Sequence, residues 1–393
     1  MLPAHDKISP LSPSFQHNSS LAISPRFNWR QLETAVSGST EEHLLTQLSQ
    51  LQQAVSSGCL SSIRQISQGG LDLGLPLRGQ TALYLAVTLH RSDVTREILR
   101  EMMKQKNIKR NINMFSVDNA SRRETALICA ARTGQVDSVR HLINYGADLE
   151  LRDGEVSGGL VFLASLVTSN QGHTALWCAV REQREEMVVY LVGRGAKVFY
   201  NNNDPSCPLQ LACKTPLLKE RGQKIACHLV IHGANLEYQD IALRNTLFWV
   251  VYNNNRDLAY FIIQCGARVR PWSWVEPSHL PEPLRQDKLL LNMIVSAWSQ
   301  PQKLGLICIR SVRKTLSERQ GGRSILSAID RLPCDQDLRR MVRFECASSK
   351  REQVIRKLHR WGEDYSNPPT VLNIQDYTNP NAVFPRLQET TEV

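Results

Sequence analysis

The chain has 393 residues and 42% hydrophobic content, enough for a long repeat array with an appendage or for two or three ordinary domains. Its net charge of +10 comes from Lys and Arg spread along the sequence without a run of five or six, so no nucleic-acid partner is expected. MLPAHDKISP at the start lacks the apolar core of a signal peptide, and no stretch of about 18 apolar residues offers a membrane span. The ten cysteines lie mostly in apolar helical patterns, as Cys129, Cys178 and Cys227 do, and form no CxxC pair. A reducing intracellular protein without metal or cofactor is the expectation.

Residues 1–40, rich in Ser, Pro, Asn and Gln, are expected to lack packed structure. From residue 41 a helical stretch, HLLTQLSQLQQAVSSG, leads into a unit, LQQAVSSGCLSSIRQISQGGLDL at 51–73, that lacks the opening motif of those after it. That motif recurs as GQTALYLAV, RETALICAA, GHTALWCAV, SCPLQLACK and RNTLFWVVY, opening on Thr81, Thr125, Thr174, Cys207 and Asn245 with spacings of 44, 49, 33 and 38 residues. About twenty residues after the later motifs comes a Gly-Ala turn: YGADLE, RGAKVF, HGANLE and CGARVR. Thr or Asn at the opening position can cap a helix by accepting from a free backbone N–H. The turn glycine can take the left-handed conformation that ends one. Between motif and turn, Val136, Val139, Leu142 and Ile143 mark one face of a second helix.

This pattern resembles the ankyrin repeat, a 33-residue pair of antiparallel helices with a hairpin finger. The resemblance implies about six repeats over 41–272, with insertions near 104–120 and 151–171 where the family places its fingers. The fourth-position His of the family motif is Tyr84, Ile128, Trp177, Gln210 and Phe248 here, so packing is expected in place of its bridging hydrogen bonds. A capping helix, RQDKLLLNMIVSAWSQ, falls within 273–300, with Leu289, Met293, Ile294 and Trp298 expected inward.

In KLGLICIRSVRKTL at 303–316, Leu304, Cys308 and Val312 recur every four residues, Ile307 and Leu316 broaden the stripe, and Arg310, Arg313 and Lys314 lie on the other side. Two shorter amphipathic segments follow, separated by Leu332-Pro333, where proline breaks the helix. Three short helices of this kind behind an ankyrin array resemble a SOCS box at 301–346, and the whole chain resembles the ankyrin-repeat and SOCS-box family. The fold class implied is all-α: an ankyrin-repeat solenoid, a three-helix SOCS-box-like module and a 347–393 tail.

The function implied is that of a substrate-recognition adaptor in a cullin–RING ubiquitin ligase, which promotes degradation of a bound target and carries no catalytic residue. Leu304, Ile307, Cys308, Val312 and Leu316 would face Elongin C of the Elongin B/Elongin C pair. Leu332, Pro333, Cys334 and Asp335 would meet a cullin, Cullin-5 with its RING partner in the family. Asp335 stands where the family often has a second proline, which leaves the cullin open. Arg152, Asp153, Phe199, Tyr200 and Tyr238, in or beside the fingers, are the candidates for substrate contact. No GxSxG, HExxH or P-loop pattern suggests catalysis. The implied location is the cytoplasm, with the nucleus open. The competing readings are a non-ligase ankyrin scaffold whose last helices are a structural cap, and a nucleic-acid-associated regulator using the positive charge.

Overall fold

The computed structural model describes residues 39–117, 122–155, 172–202, 204–214, 219–269, 286–299 and 304–344. The segment up to 38, most of the 151–171 insertion, Trp272, Trp274 and the tail beyond 344 lie outside the described residues. The chain divides into two units at Leu44; the first contributes only the start of one helix to the described residues, and the second holds all else.

Six helix pairs build the array: α1 (Ser39–Ser57) with α2 (Leu60–Gln68), α3 (Ala82–Thr88) with α4 (Ser92–Lys104), α6 (Ala126–Thr133) with α7 (Val136–Asn144), α8 (Ala175–Arg181) with α9 (Glu185–Gly193), α10 (Pro208–Lys214) with α11 (Lys219–Ile231), and α12 (Thr246–Tyr252) with α13 (Arg256–Gln264). A one-turn helix, α5 (Ile108–Asn111), follows α4. The sequence explains the short first helices. Thr81, Thr125, Thr174 and Asn245 each accept, through a side-chain oxygen, from the N–H three residues on. The Ala and Leu after each Thr cap, and Thr246 and Leu247 after Asn245, are buried, so successive first helices pack closely. Gly146, Gly195, Gly233 and Gly266 all have φ between 91° and 106°, the left-handed turn expected of them.

Three features depart from the expectation. First, the inter-repeat bridge survives in new chemistry. Tyr84 Oη donates to the buried Glu124 carboxylate in the next repeat at 2.8 Å, and Arg132 closes on the same carboxylate at 2.6 Å. Second, a small antiparallel sheet interrupts the all-α pattern. Strands β1 (Phe115–Val117), β2 (Arg122–Thr125) and β3 (Gly154–Glu155) run in the order β1-β2-β3. It ties the 104–120 insertion to the array: Val117 N–H donates to Gly79 O, and Asn107 and Asn111 both donate to the Asp72 carboxylate. Third, helix α14 (Lys288–Ser299) buries Leu290, Leu291, Ile294 and Val295, whereas Leu289 and Met293 are only partly covered and the Trp298 side chain lies outside the described residues.

The last described segment is a three-helix module of α15 (Leu304–Arg319), α16 (Leu326–Asp330) and α17 (Gln336–Val342). Its own small core is Ile325, Ile329 and Val342, with Ile309, Leu316, Leu326 and Leu332 packed around them. The module lies against the Gly-Ala turns of the array. Ile325 N–H donates to His232 O, and the Val198 and Phe199 N–H groups both donate to Gly322 O.

Candidate protein-docking surface

Helix α15 has two unlike faces. Successive residues turn about 100° around a helix, so Leu304, Cys308 and Val312 share one side with Ile307 at its edge. All four are solvent-exposed; Leu304 has 75% of its surface open, and Ile307 and Val312 38% and 37%. On the opposite side Arg313 and Ser317 are buried against the array. An exposed apolar stripe on a helix already anchored by its other face is the form in which a helix presents anchors to a partner's groove. Cys308 keeps a small side chain mid-stripe.

Leu316 belongs elsewhere. It lies about a third of a turn from Leu304, beyond Val312, and packs beside Ile325, Ile329 and Val342, supporting the helix from within. In the Leu332–Asp335 segment only part of the side-chain set is open. Leu332 is partly buried in the module core, Pro333 is exposed, and Cys334 is half-covered. Asp335 is exposed and caps α17, its Oδ1 accepting from Leu338 N–H at 2.7 Å. Asp335 thus has a local role, since a carboxylate at that position satisfies a free amide of the helix it opens.

The array candidates divide sharply. Tyr200 and Tyr238 are each only 1% exposed; burial raises both phenols, and Tyr238 Oη donates to Asp204 O. Arg152 forks onto the Asp204 carboxylate at 3.2 and 2.9 Å and also reaches Ser206. Asp153 accepts from His173 N–H. Hydrogen bonds to Arg152 and His173 hold the Asp204 and Asp153 carboxyls below the usual range against burial, which acts the other way. Arg152, Tyr200 and Tyr238 thus join one finger to the next and Asp153 closes the base of its own, rather than standing open to a target. Phe199 is half-buried where the array meets Gly322.

Other residues offer exposed apolar surface that the sequence did not single out. Ile241 and Leu243 are 85% and 61% open on the loop before α12, and Leu338 and Met341 lie open on α17. Tyr252 at the end of α12 is exposed beside Phe248, and Arg181 lies over Trp177, 5.2 Å from the ring centre. A cleft of about 770 Å3 separates α15 from the fingers, with Ile307, Ser311 and Lys314 on one wall and Asn202, Glu237 and Arg268 on the other.

Burial pushes the thiols of Cys129, Cys178 and Cys207 up to about 12, which leaves them un-ionised core residues. Among the described residues no group of His, Cys, Asp and Glu could hold a metal ion, and no helix is long and apolar enough to cross a membrane.

The comparisons with known proteins bear on the array. A family model of ankyrin repeats in three copies matches residues 51–153, and a single-repeat ankyrin model matches 171–203. The chain therefore contains ankyrin repeats. It is similar to the Danio rerio protein named as palmitoyltransferase ZDHHC13, at 23% identity over 262 residues, which is 65% of this chain and 36% of that protein. The chain thus spans about a third of that relative's length. Among solved structures it is similar to the human ASB11 ankyrin repeat domain, with TM-score 0.44 and 15% identity, covering 64% of this chain and 99% of that one. A second is an ankyrin repeat domain from Acinetobacter baumannii, with TM-score 0.44 and 19% identity, covering 54% and 95%.

Proposed function

We propose that this ankyrin-repeat chain is the non-catalytic substrate receptor of a cullin–RING ubiquitin ligase, its array holding a target protein and its C-terminal module binding the Elongin B/Elongin C pair. One observation carries the reading: Leu304, Ile307, Cys308 and Val312 stand exposed on a helix whose Ile309 and Leu316 pack on the module core and whose Arg313 and Ser317 are buried. Burying one such leucine in a groove contributes about 1.5–3 kcal/mol, so a four-residue stripe is enough to anchor a helix. Ankyrin arrays bind proteins, and ubiquitin transfer is left to other subunits. Pro333 and Asp335 are the open residues of the cullin-facing segment, and the choice of cullin rests on them. A cytoplasmic or nuclear location is part of the same proposal.

The second reading, a non-ligase scaffold with a structural cap, draws on the buried face of α15, which already serves the array. Replacing Leu304 with Asp together with Cys308 with Arg separates the two. In the ligase reading the double variant keeps its helical signal and melting temperature and loses capture of purified Elongin B/C. Failure of the wild-type chain to capture that pair leaves the cap reading standing.

A further inference from the structure

The buried face of α15 holds an unusual residue, Arg313. Only 6% of it is exposed, and removal from water is costly for a guanidinium unless its N–H groups are all used. Its acceptors are main-chain carbonyls at the ends of two helices. One nitrogen donates to Val230 O and Ile231 O in the last turn of α11, in the array; the other donates to Val342 O, the last residue of α17, in the module. The last carbonyls of a helix lack partners within it and carry the negative end of its dipole, so a cation satisfies two helix ends at once. The guanidinium also lies 4.1 Å from the ring centre of Phe344.

The contacts around it are of the same kind. Ser317 Oγ donates to Gly233 O at 3.1 Å, Ser324 Oγ and His232 Nδ1 share a hydrogen bond of 2.7 Å, and Gly322 O accepts from two amides of the array. At Gly233 a Cβ would come within 2.9 Å of Ser317 Oγ and 3.0 Å of Ile325. The left-handed turn of that repeat is therefore also a place where the module packs closely on the array.

We propose that Arg313 is a positioning residue: a buried fork that locks the C-terminal module to the array and so fixes the direction in which the Leu304–Val312 stripe points relative to the array. Main-chain acceptors make this a joint of one geometry, since carbonyls at helix ends cannot swing as side chains do. A planar fork that reaches three carbonyls from two elements has no equivalent in lysine, whose ammonium is a single point. The consequence for ubiquitin transfer rests on the proposed function: a fixed joint sets which lysines of a bound target come within reach.

The test uses the full chain, with a ketone-bearing amino acid at Asp93 in α4 and another at Asp337 in α17, both exposed, spin-labelled without touching the cysteines. Wild type is expected to show one narrow inter-label distance. Arg313→Met is expected to broaden it, Arg313→Lys to broaden it less, and both to retain Elongin B/C capture, because the stripe lies on the other face. Hydrogen exchange over 304–344 shows whether the module in Arg313→Met is still folded. Should it not be, the pair Ser317→Ala with Ser324→Ala loosens the joint while the three carbonyls held by Arg313 keep their donor, and the same broadening is expected. A distance that stays narrow in the folded variants overturns the proposal. A wild-type chain that fails to capture Elongin B/C removes the ligase reading and leaves the distance result intact. Where the ligase reading holds, Arg313→Met changes the set of target lysines modified, an effect that mere loss of stability would show only as a uniform decrease.

Discussion

Single residues decide how neighbouring repeats are held. The family's bridging histidine is absent, and at the first full motif its work falls to Tyr84, which reaches across to a carboxylate that Arg132 also holds. Removing the hydroxyl leaves Glu124 short of one donor in a buried site, a loss of about 1.5–3 kcal/mol for a hydrogen bond to a charged group. Tyr84→Phe is therefore expected to lower the urea midpoint without changing the helical signal.

His232 makes a second prediction at this scale. Burial, then His228 and Arg313 nearby, press its imidazole down to about 4, against an ordinary value of 6.5. The folded chain keeps it neutral while the unfolded chain takes up a proton, so its contribution is fully present above about 6.5 and fades as pH falls toward 4. The expected loss is on the order of 2 kcal/mol across that window. Urea midpoints measured from pH 7 down to 4.5 should fall more steeply for wild type than for His232→Asn. Parallel slopes would remove the assignment.

At the scale of elements, α15 and α17 are the instructive pair. The spacing in α15 identified a real stripe, and the structure turned it outward. In α17 the spacing places Leu338, Met341 and Val342 in one amphipathic segment, and only Val342 of the three is buried. Periodicity identifies a face and cannot say what lies against it, because that depends on elements distant in sequence. The module's own core is small, so one truncation in it has a large effect. Ile329→Ala is expected to cost about 2–4 kcal/mol of local stability. Hydrogen exchange should accelerate over 304–344 while the array keeps its protection, and under the proposed function Elongin capture should weaken. Asp335→Ala, which removes the cap of α17, should cost about 1 kcal/mol in the same measurement.

For the whole molecule, the stack of six helix pairs follows from local rules that recur along it: four capped first helices, four left-handed glycine turns and small residues where helices meet. The positive charge finds uses within this plan: Arg132, Arg152, Arg244, Arg256 and Arg343 all pair with carboxylates, and Arg313 holds helix ends. Generic DNA binding by the chain is accordingly expected to be weak at physiological salt, measured by titration with a labelled duplex at two ionic strengths. Tight binding with a steep salt slope would restore the nucleic-acid reading.

The repeat register, the caps, the turn glycines and the Leu304–Cys308–Val312 stripe were legible in the sequence, because each depends on residues within one or two helical turns. The placement of Tyr200 and Tyr238 was not: finger positions that read as surface are buried by the neighbouring finger, through Asp204 and its partners. Nor was the inward turn of Leu316, the sheet that β1, β2 and β3 build from separate fingers, or the role of Arg313. By itself the sequence determined that there is a repeat array, where its helices begin and end, and that an apolar stripe follows it. The tertiary structure alone decided which face of that stripe's helix meets water, and that an arginine more than eighty residues from the array carbonyls it binds would hold the two parts together. The physical reason is that local sequence sets backbone conformation within a turn or two, whereas burial and the satisfaction of a charge depend on which distant carbonyls and side chains the fold brings alongside.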